Sequence, residues 1–215
     1  IIAGGAYHND GLNGYNSGHV RVYEYVGGVW TQLGNDIDGE APSDRCGWSV
    51  SLNSSGHRVA VGSPQNDGNG SNSGSARVYD WNGSVWSQVG SDIDGEAVGD
   101  HSGNSVSLNS LGNILAIGAI YNQDNGSNSG HVRVYELTGN SWVQIGGDID
   151  GEAAIDESAR SISLDSTGHK IVIGAHANDG NGNDSGHARI YQYLNGSWVQ
   201  VGSDIDGENA DDNCG

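Results

Sequence analysis

The chain has 215 residues, a formal net charge of −19 and a single lysine, Lys170. That balance repels nucleic-acid phosphates and anionic membrane surfaces, and no apolar run approaches the roughly 18 residues of a membrane helix, so neither nucleic acid nor direct membrane insertion is expected. Phe and Met are absent and glycine reaches 37 residues, yet Val, Ile, Trp and Tyr recur at fixed places, which points to ordered strands rather than disorder.

Asp36-Ile37-Asp38-Gly39-Glu40 returns as Asp92 to Glu96, Asp148 to Glu152 and Asp204 to Glu208, each copy 56 residues after the last. Trp30, Trp86, Trp142 and Trp198 keep that step, as do Arg21, Arg77, Arg133 and Arg189 and the matching tyrosines Tyr23, Tyr79, Tyr135 and Tyr191. A period without drift marks an array of one supersecondary unit. Residues 1–215 therefore form a single array, with repeat boundaries near 1–45, 46–101, 102–157 and 158–213 and an incomplete first repeat.

The second repeat gives the elements in order. Trp48 to Leu52 alternates Val50 and Leu52 with Ser49 and Ser51, a strand pattern, and turns at Asn53-Ser54-Ser55-Gly56. Arg58 to Gly62 is nearly all apolar, as expected of a strand buried on both faces. The Gly/Asn segment Gln65 to Gly74 reads as a surface loop. Ser75 to Trp81 and Val85 to Val89 form a hairpin across Asn82-Gly83-Ser84, and the acidic stretch Asp92 to Asp100 leads on to the next repeat. The expected fold is all-β, with β-propeller blades of four antiparallel strands in four tandem repeats. A β-solenoid is disfavoured, because its coils are shorter and lack hairpins. A blade cannot bury both of its faces alone, so the repeats must stack.

These residues resemble the FG-GAP repeats of integrin α-chain propellers and of bacterial and algal surface proteins. That family shows Phe-Gly, Ser-Val on a strand, a turn, and an apolar strand ending Gly-Ala-Pro. Here Cys46-Gly47-Trp48-Ser49-Val50 stands at the first part and Val61-Gly62-Ser63-Pro64 at the second. The third repeat supplies Ser105-Val106 and Ile117-Gly118-Ala119, and the fourth Ser161-Ile162 and Ile173-Gly174-Ala175. Asp44, Asp100, Asp156 and Asp212 match the Asp that often precedes Phe-Gly. The chain departs from the family in replacing Phe by Cys or Ser. It also lacks the Asp-rich calcium loop, whose place is taken by Asn53 to Gly56 and Asn109 to Gly112, so calcium is not carried over there. The resemblance implies an extracellular or cell-surface propeller.

The repeated acidic stretch admits two readings. Asp36 and Asp38, roughly 7 Å apart on one side of an extended chain, could join Glu40 and Asp44 around Ca²⁺. The favoured alternative is that they cap turns where one blade passes to the next. Apart from that calcium, no cofactor and no metal centre is expected, since no two of the eight histidines have ligand spacing. Cys46 and Cys214 share one column, and two readings stay open: small buried side chains, or a disulfide within the ring or between chains. Asn53, Asn69, Asn82, Asn125, Asn183 and Asn195 head glycosylation sequons in turns or loops. Nearly every polar residue obeys the repeat, whereas a catalytic centre breaks the symmetry of its scaffold, so no enzyme is expected.

The chain opens within a repeat at Ile1 and stops at Cys214-Gly215, where a further first strand would begin. The expected partners are therefore further blades of the same protein or other copies of the chain, in a self-associating structural or adhesive module that could build a filament. The alternative is a lectin-like propeller whose Trp and Tyr residues stack on glycans.

Overall fold

The computed structural model describes residues 1–215, and every regular element in it is a β-strand. The first blade contains β1 (Ile2–Ala6), β2 (His19–Val26), β3 (Val29–Gln32) and β4 (Ile37–Asp38). The second contains β5 (Ser49–Leu52), β6 (Arg58–Ser63), β7 (Ser75–Trp81), β8 (Trp86–Gln88) and β9 (Ile93–Asp94). The third contains β10 (Ser102–Leu108), β11 (Ile114–Ala119), β12 (His131–Thr138), β13 (Ser141–Gln144) and β14 (Ile149–Asp150). The fourth contains β15 (Ser161–Leu164), β16 (Lys170–Ala175), β17 (His187–Leu194), β18 (Ser197–Gln200) and β19 (Ile205–Asp206). Each sheet is an antiparallel meander in chain order, and blade 1 has no counterpart of β5, β10 and β15.

The predicted strands are present with small shifts, and each blade adds one element that alternation did not reveal. The Ile-Asp pair of the acidic stretch is itself a short strand. In blade 2 it pairs with the beginning of β7 (Ser75↔Asp94, Ala76↔Ile93), while β8 pairs with the end of β7 (Tyr79↔Gln88). The outer edge of each blade is thus split between two short strands. Asn and Gly make the turns: Asn195-Gly196 joins β17 to β18 with φ of 52° and 88°, the left-handed pair that a tight hairpin requires. Between β5 and β6 the Asn53 side chain accepts from the amide of Arg58 at 3.0 Å. Asn109 does the same for Ile114, and Asp165 for Lys170 at 3.1 Å.

The apolar side chains collect into three clusters, one per junction between successive blades. Because side chains alternate across a strand, one strand serves two junctions. Val59 and Val61 face blade 1, whereas Ala60 faces blade 3. This is why Arg58 to Gly62 reads as continuously apolar. The joined cores are the interfaces, and no blade has a core of its own.

Candidate functional site

The chemistry of the chain concentrates at these junctions. Arg77, on β7, is two residues before Tyr79 and lies on the same face, with its guanidinium carbon 5.9 Å from the tyrosine ring. Its Nη1 reaches Glu40 Oε1 at 3.3 Å, and its Nη2 donates to the carbonyl of Asp38 at 3.3 Å. Arg133 repeats this with Glu96 (3.4 Å) and the carbonyl of Asp94 (2.8 Å), and Arg189 with Glu152 (3.2 Å) and the carbonyl of Asp150 (3.1 Å). The glutamate that ends each acidic stretch is therefore a clasp onto the next blade. A second link runs beside it: the indole N–H of Trp86 donates to the carbonyl of Leu33, Trp142 to Val89 and Trp198 to Ile145, at 2.8–3.0 Å.

Within a blade the stretch is fixed from both sides. Gln32, Gln88, Gln144 and Gln200 donate to Asp36, Asp92, Asp148 and Asp204 at 2.5–2.8 Å. Asn13, Asn69, Asn125 and Asn181 donate to the carbonyls of Gly39, Gly95, Gly151 and Gly207 at 2.6–2.9 Å. Those glycines are required by contact: a Cβ on any of them would sit 2.0 Å from the carbonyl oxygen of Ser17, Ser73, Ser129 or Ser185. Asp44 caps its turn by accepting from the Ala41 amide at 2.9 Å, and Asp100 and Asp156 do likewise. The carboxylates of one stretch are handed to different partners, Glu40 to the next blade and Asp44 to the turn. The Asn66 side-chain amide also donates to Asp44 at 3.1 Å and reaches Glu40 at 3.4 Å, so turn capping and an inter-blade clasp share these carboxylates.

Burial raises Glu40 and Glu96 above the ordinary carboxylate range, the neighbouring arginine opposing it. Asp94 and Asp150 rise for the same first reason. Burial also pushes the Tyr79 and Tyr135 hydroxyls up to about 12. The arrangement differs at blade 1. There Arg21 turns back on its own blade and grips Asp36 with Nε and Nη2 at 2.9–3.0 Å. The Arg21 hydrogen bonds hold the Asp36 carboxyl below its usual range.

His131, on β12, and His187, on β17, are the residues that spacing along the chain did not single out. His131 is 1% exposed, and its Nδ1 has no hydrogen-bond partner. It faces Glu96 Oε2 (3.9 Å), Asp124 Oδ2 (4.0 Å) and Asp148 Oδ2 (3.9 Å). His187 lies between Glu152 Oε2 (3.8 Å) and Asp204 Oδ2 (3.7 Å). The signal was present as a recurring His-x-Arg-x-Tyr, but its acidic partners come from two repeats.

The remaining candidates are placed as follows. Cys46 and Cys214 are both free, so the intrachain disulfide is not formed. A shared column means equivalent positions on different blades, one bridged to Gly18 and the other to Gly186. Burial pushes the Cys46 thiol up, and its Sγ faces the carbonyl of Ile37 at 3.9 Å, which is the small-buried-residue reading. Of the six sequon asparagines, Asn69 and Asn125 have their amide nitrogens committed to the carbonyls named above. Asn183 donates to Asp184 at 2.8 Å, while Asn53 and Asn82 use only their side-chain oxygens, as turn caps. Asn195 is exposed on its hairpin. The indole N–H groups of Trp86, Trp142 and Trp198 are engaged at the junctions, and their rings are partly buried.

No curated protein matches the sequence. Among solved structures, the chain superposes on a protein described as a 6-phosphogluconolactonase from Bacteroides uniformis with a TM-score of 0.63 at 8% identity, covering 94% of this chain and 54% of that one. The periplasmic gluconolactonase of Pseudomonas aeruginosa gives a TM-score of 0.56 at 16% identity, over 94% of this chain and 53% of that one. A second Bacteroides protein so described, from B. fragilis, gives 0.54 at 12% identity, over 77% of this chain and 40% of that one. The chain thus spans about half the length of these first two solved structures. At such identities the likeness shows the fold, a β-propeller. It also corrects the expectation that the chain is no enzyme: proteins of this fold are described as lactonases, so a regular propeller array does not argue against catalysis. The sequence model of the FG-GAP repeat matches residues 37–79 and 91–135, two successive junction segments, so these two segments are similar to the FG-GAP repeat.

Proposed function

We propose that the chain is a structural and adhesive β-propeller module of an extracellular surface, whose two end faces each pack against a further blade, either of the same protein or of a copy of the chain. The observation that carries this reading is the pairing left over at the two end faces. Three glutamate–arginine clasps are closed inside the chain; Arg21 and Glu208 are the members of the same columns whose mates in that series are missing. The tryptophan links leave Trp30 and the carbonyl of Val201 in the same state. Where a preceding glutamate would enter blade 1 there is instead an open cavity of about 750 Å³, with His19, Arg21, Gln32, Asp36 and Asp38 in its lining.

The apolar surfaces agree. Ile2 is 49% exposed at a position whose equivalents Val59, Leu115 and Ile171 are fully buried. On blade 4, Val172 and Ile205 are exposed where Ala116 and Ile149 are covered in blade 3. At roughly 25 cal/mol per Å² of apolar surface, several hundred Å² left bare on two faces amounts to on the order of 10 kcal/mol. Since the end faces carry the residues of an internal junction, each complements the other. Such head-to-tail contacts close into rings or run on as filaments.

Light scattering on the purified chain tests the reading. The wild type is expected to associate with rising concentration, Arg21→Glu and Glu208→Arg each to weaken association, and an equimolar mixture of the two to pair through the swapped clasp. A wild type that stays monomeric and unfolds cooperatively overturns it. Electron microscopy then separates ring from filament. The extracellular setting has its own test in intact mass before and after glycosidase. Glycan is expected on Asn82 and Asn195, and none on Asn69 or Asn125, whose amide nitrogens are engaged; an unchanged mass would argue against that setting.

A further inference from the structure

We propose that His131, Glu96, Asp124 and Asp148 form a binding site for a divalent transition-metal ion of the zinc class, held across the junction of blades 2 and 3. The imidazole is 1% exposed, and its Nδ1 lacks any hydrogen-bond partner although three carboxylate oxygens face it at 3.9–4.0 Å. A buried nitrogen in that condition normally finds a partner. All four ligand atoms lie within 4.8 Å of one another. A tetrahedral ion with ligands at about 2.1 Å needs them roughly 3.4 Å apart, so the contacts of His131 must contract by about half an ångström and the widest ligand pair by up to about 1.4 Å.

The carboxylates are already oriented for this. Glu96 keeps Oε1 on Arg133 at 3.4 Å and turns Oε2 to His131. Asp148 accepts from Gln144 with Oδ1 at 2.6 Å and turns Oδ2 to His131. Each has one oxygen anchored by an outer partner and one free, the arrangement that fixes metal ligands. Three carboxylates and the Arg133 guanidinium leave a net charge of −2, which a divalent cation balances. The mixed nitrogen and oxygen set selects against Ca²⁺, which takes oxygen ligands, and suits Zn²⁺ or Co²⁺.

The same column shows why the site is specific to its place. Blade 2 has Ser75 in the histidine position. In blade 1, the Asp36 beside His19 is taken by Arg21 through both oxygens. Blade 4 keeps Glu152, His187 and Asp204, but the position matching Asp124 is Gly180, so one ligand is missing. A weaker second site is expected there.

Titration of the chelator-stripped chain with ZnCl₂ in excess Ca²⁺, followed by calorimetry, tests the proposal, with Co²⁺ and its visible absorption as the readout of an imidazole-containing site. One tight equivalent is expected. Asp124→Asn should weaken it at least about tenfold. That side chain is 60% exposed on a loop, so the fold should tolerate the change, and circular dichroism checks this. Gly180→Asp should strengthen the second site. No zinc uptake, or uptake indifferent to both substitutions, overturns the proposal and leaves His131 as a histidine packed among ion-paired carboxylates.

Discussion

The junction between blades 2 and 3 and the bare face of blade 1 are built from the same columns of residues, yet they differ in every bond that crosses between blades. Arg133 is buried and clasps Glu96 of the blade before it; Arg21 is half exposed and folds back onto Asp36. Trp142 donates to Val89, while Trp30 lies 49% exposed. β2 and β12, which carry the two arginines, pair in the same way with the strands that follow them, so the difference in these bonds tracks the presence of a preceding blade. In this molecule the stabilising unit is the contact between two blades, as expected of arrays whose repeats cannot bury a face alone.

That comparison can be broken by substitution at matched positions. The largest contrast is expected in the apolar column: Leu115→Ala should cost about 2–5 kcal/mol in urea unfolding, whereas Ile2→Ala in a monomeric background should cost below about 1 kcal/mol. Next comes the clasp. Arg133→Ala strips a buried guanidinium from Glu96 and from the Asp94 carbonyl and should cost about 2–3 kcal/mol; Arg21→Ala, at a half-exposed and solvent-screened pair, should cost clearly less. Equal costs at the matched positions would sink the comparison. Smaller again, Trp142→Phe removes one N–H···O bond and should cost about 1 kcal/mol, against no change for Trp30→Phe.

The subtlest contrast is in protonation. Asp36 is held below its usual range by Arg21, so its contribution is complete above the unfolded-state value and is lost as pH falls through the depressed folded value. Glu96 is raised by burial despite Arg133, so its contribution is complete below the unfolded-state value and is lost as pH rises through the raised one. NMR titration of the two side-chain carboxyls should show shifts of opposite sign. Shifts of one sign would mean that burial does not distinguish the two settings.

How much of this was legible in the sequence follows from the range of each interaction. The four long strands and their hairpins were readable because alternation and Asn/Gly turns are local. The continuous apolar run Arg58 to Gly62 announced burial on both faces. The short Ile-Asp strand was not readable, since two residues carry no periodicity and the flanking acids suggest a loop. The glutamate clasp was hidden for another reason: Glu96 answers to Arg133 in the following repeat, a distance that no spacing rule spans. His131 was passed over because its three acidic neighbours come from two different acidic stretches and a loop. For Cys46 and Cys214 spacing left two readings open. Repetition places one such residue on each of two separate blades and thereby keeps them apart.

Hydrogen exchange resolved by strand, at low and high protein concentration, tests most directly the claim that one junction chemistry is closed inside and open at both ends. In dilute solution the amides of β11 and β12 should be strongly protected, and those of β1, β2 and β17 to β19 should exchange orders of magnitude faster. Raising the concentration should slow exchange in the end blades alone. Uniform protection across all four blades, unchanged by concentration, would contradict the account.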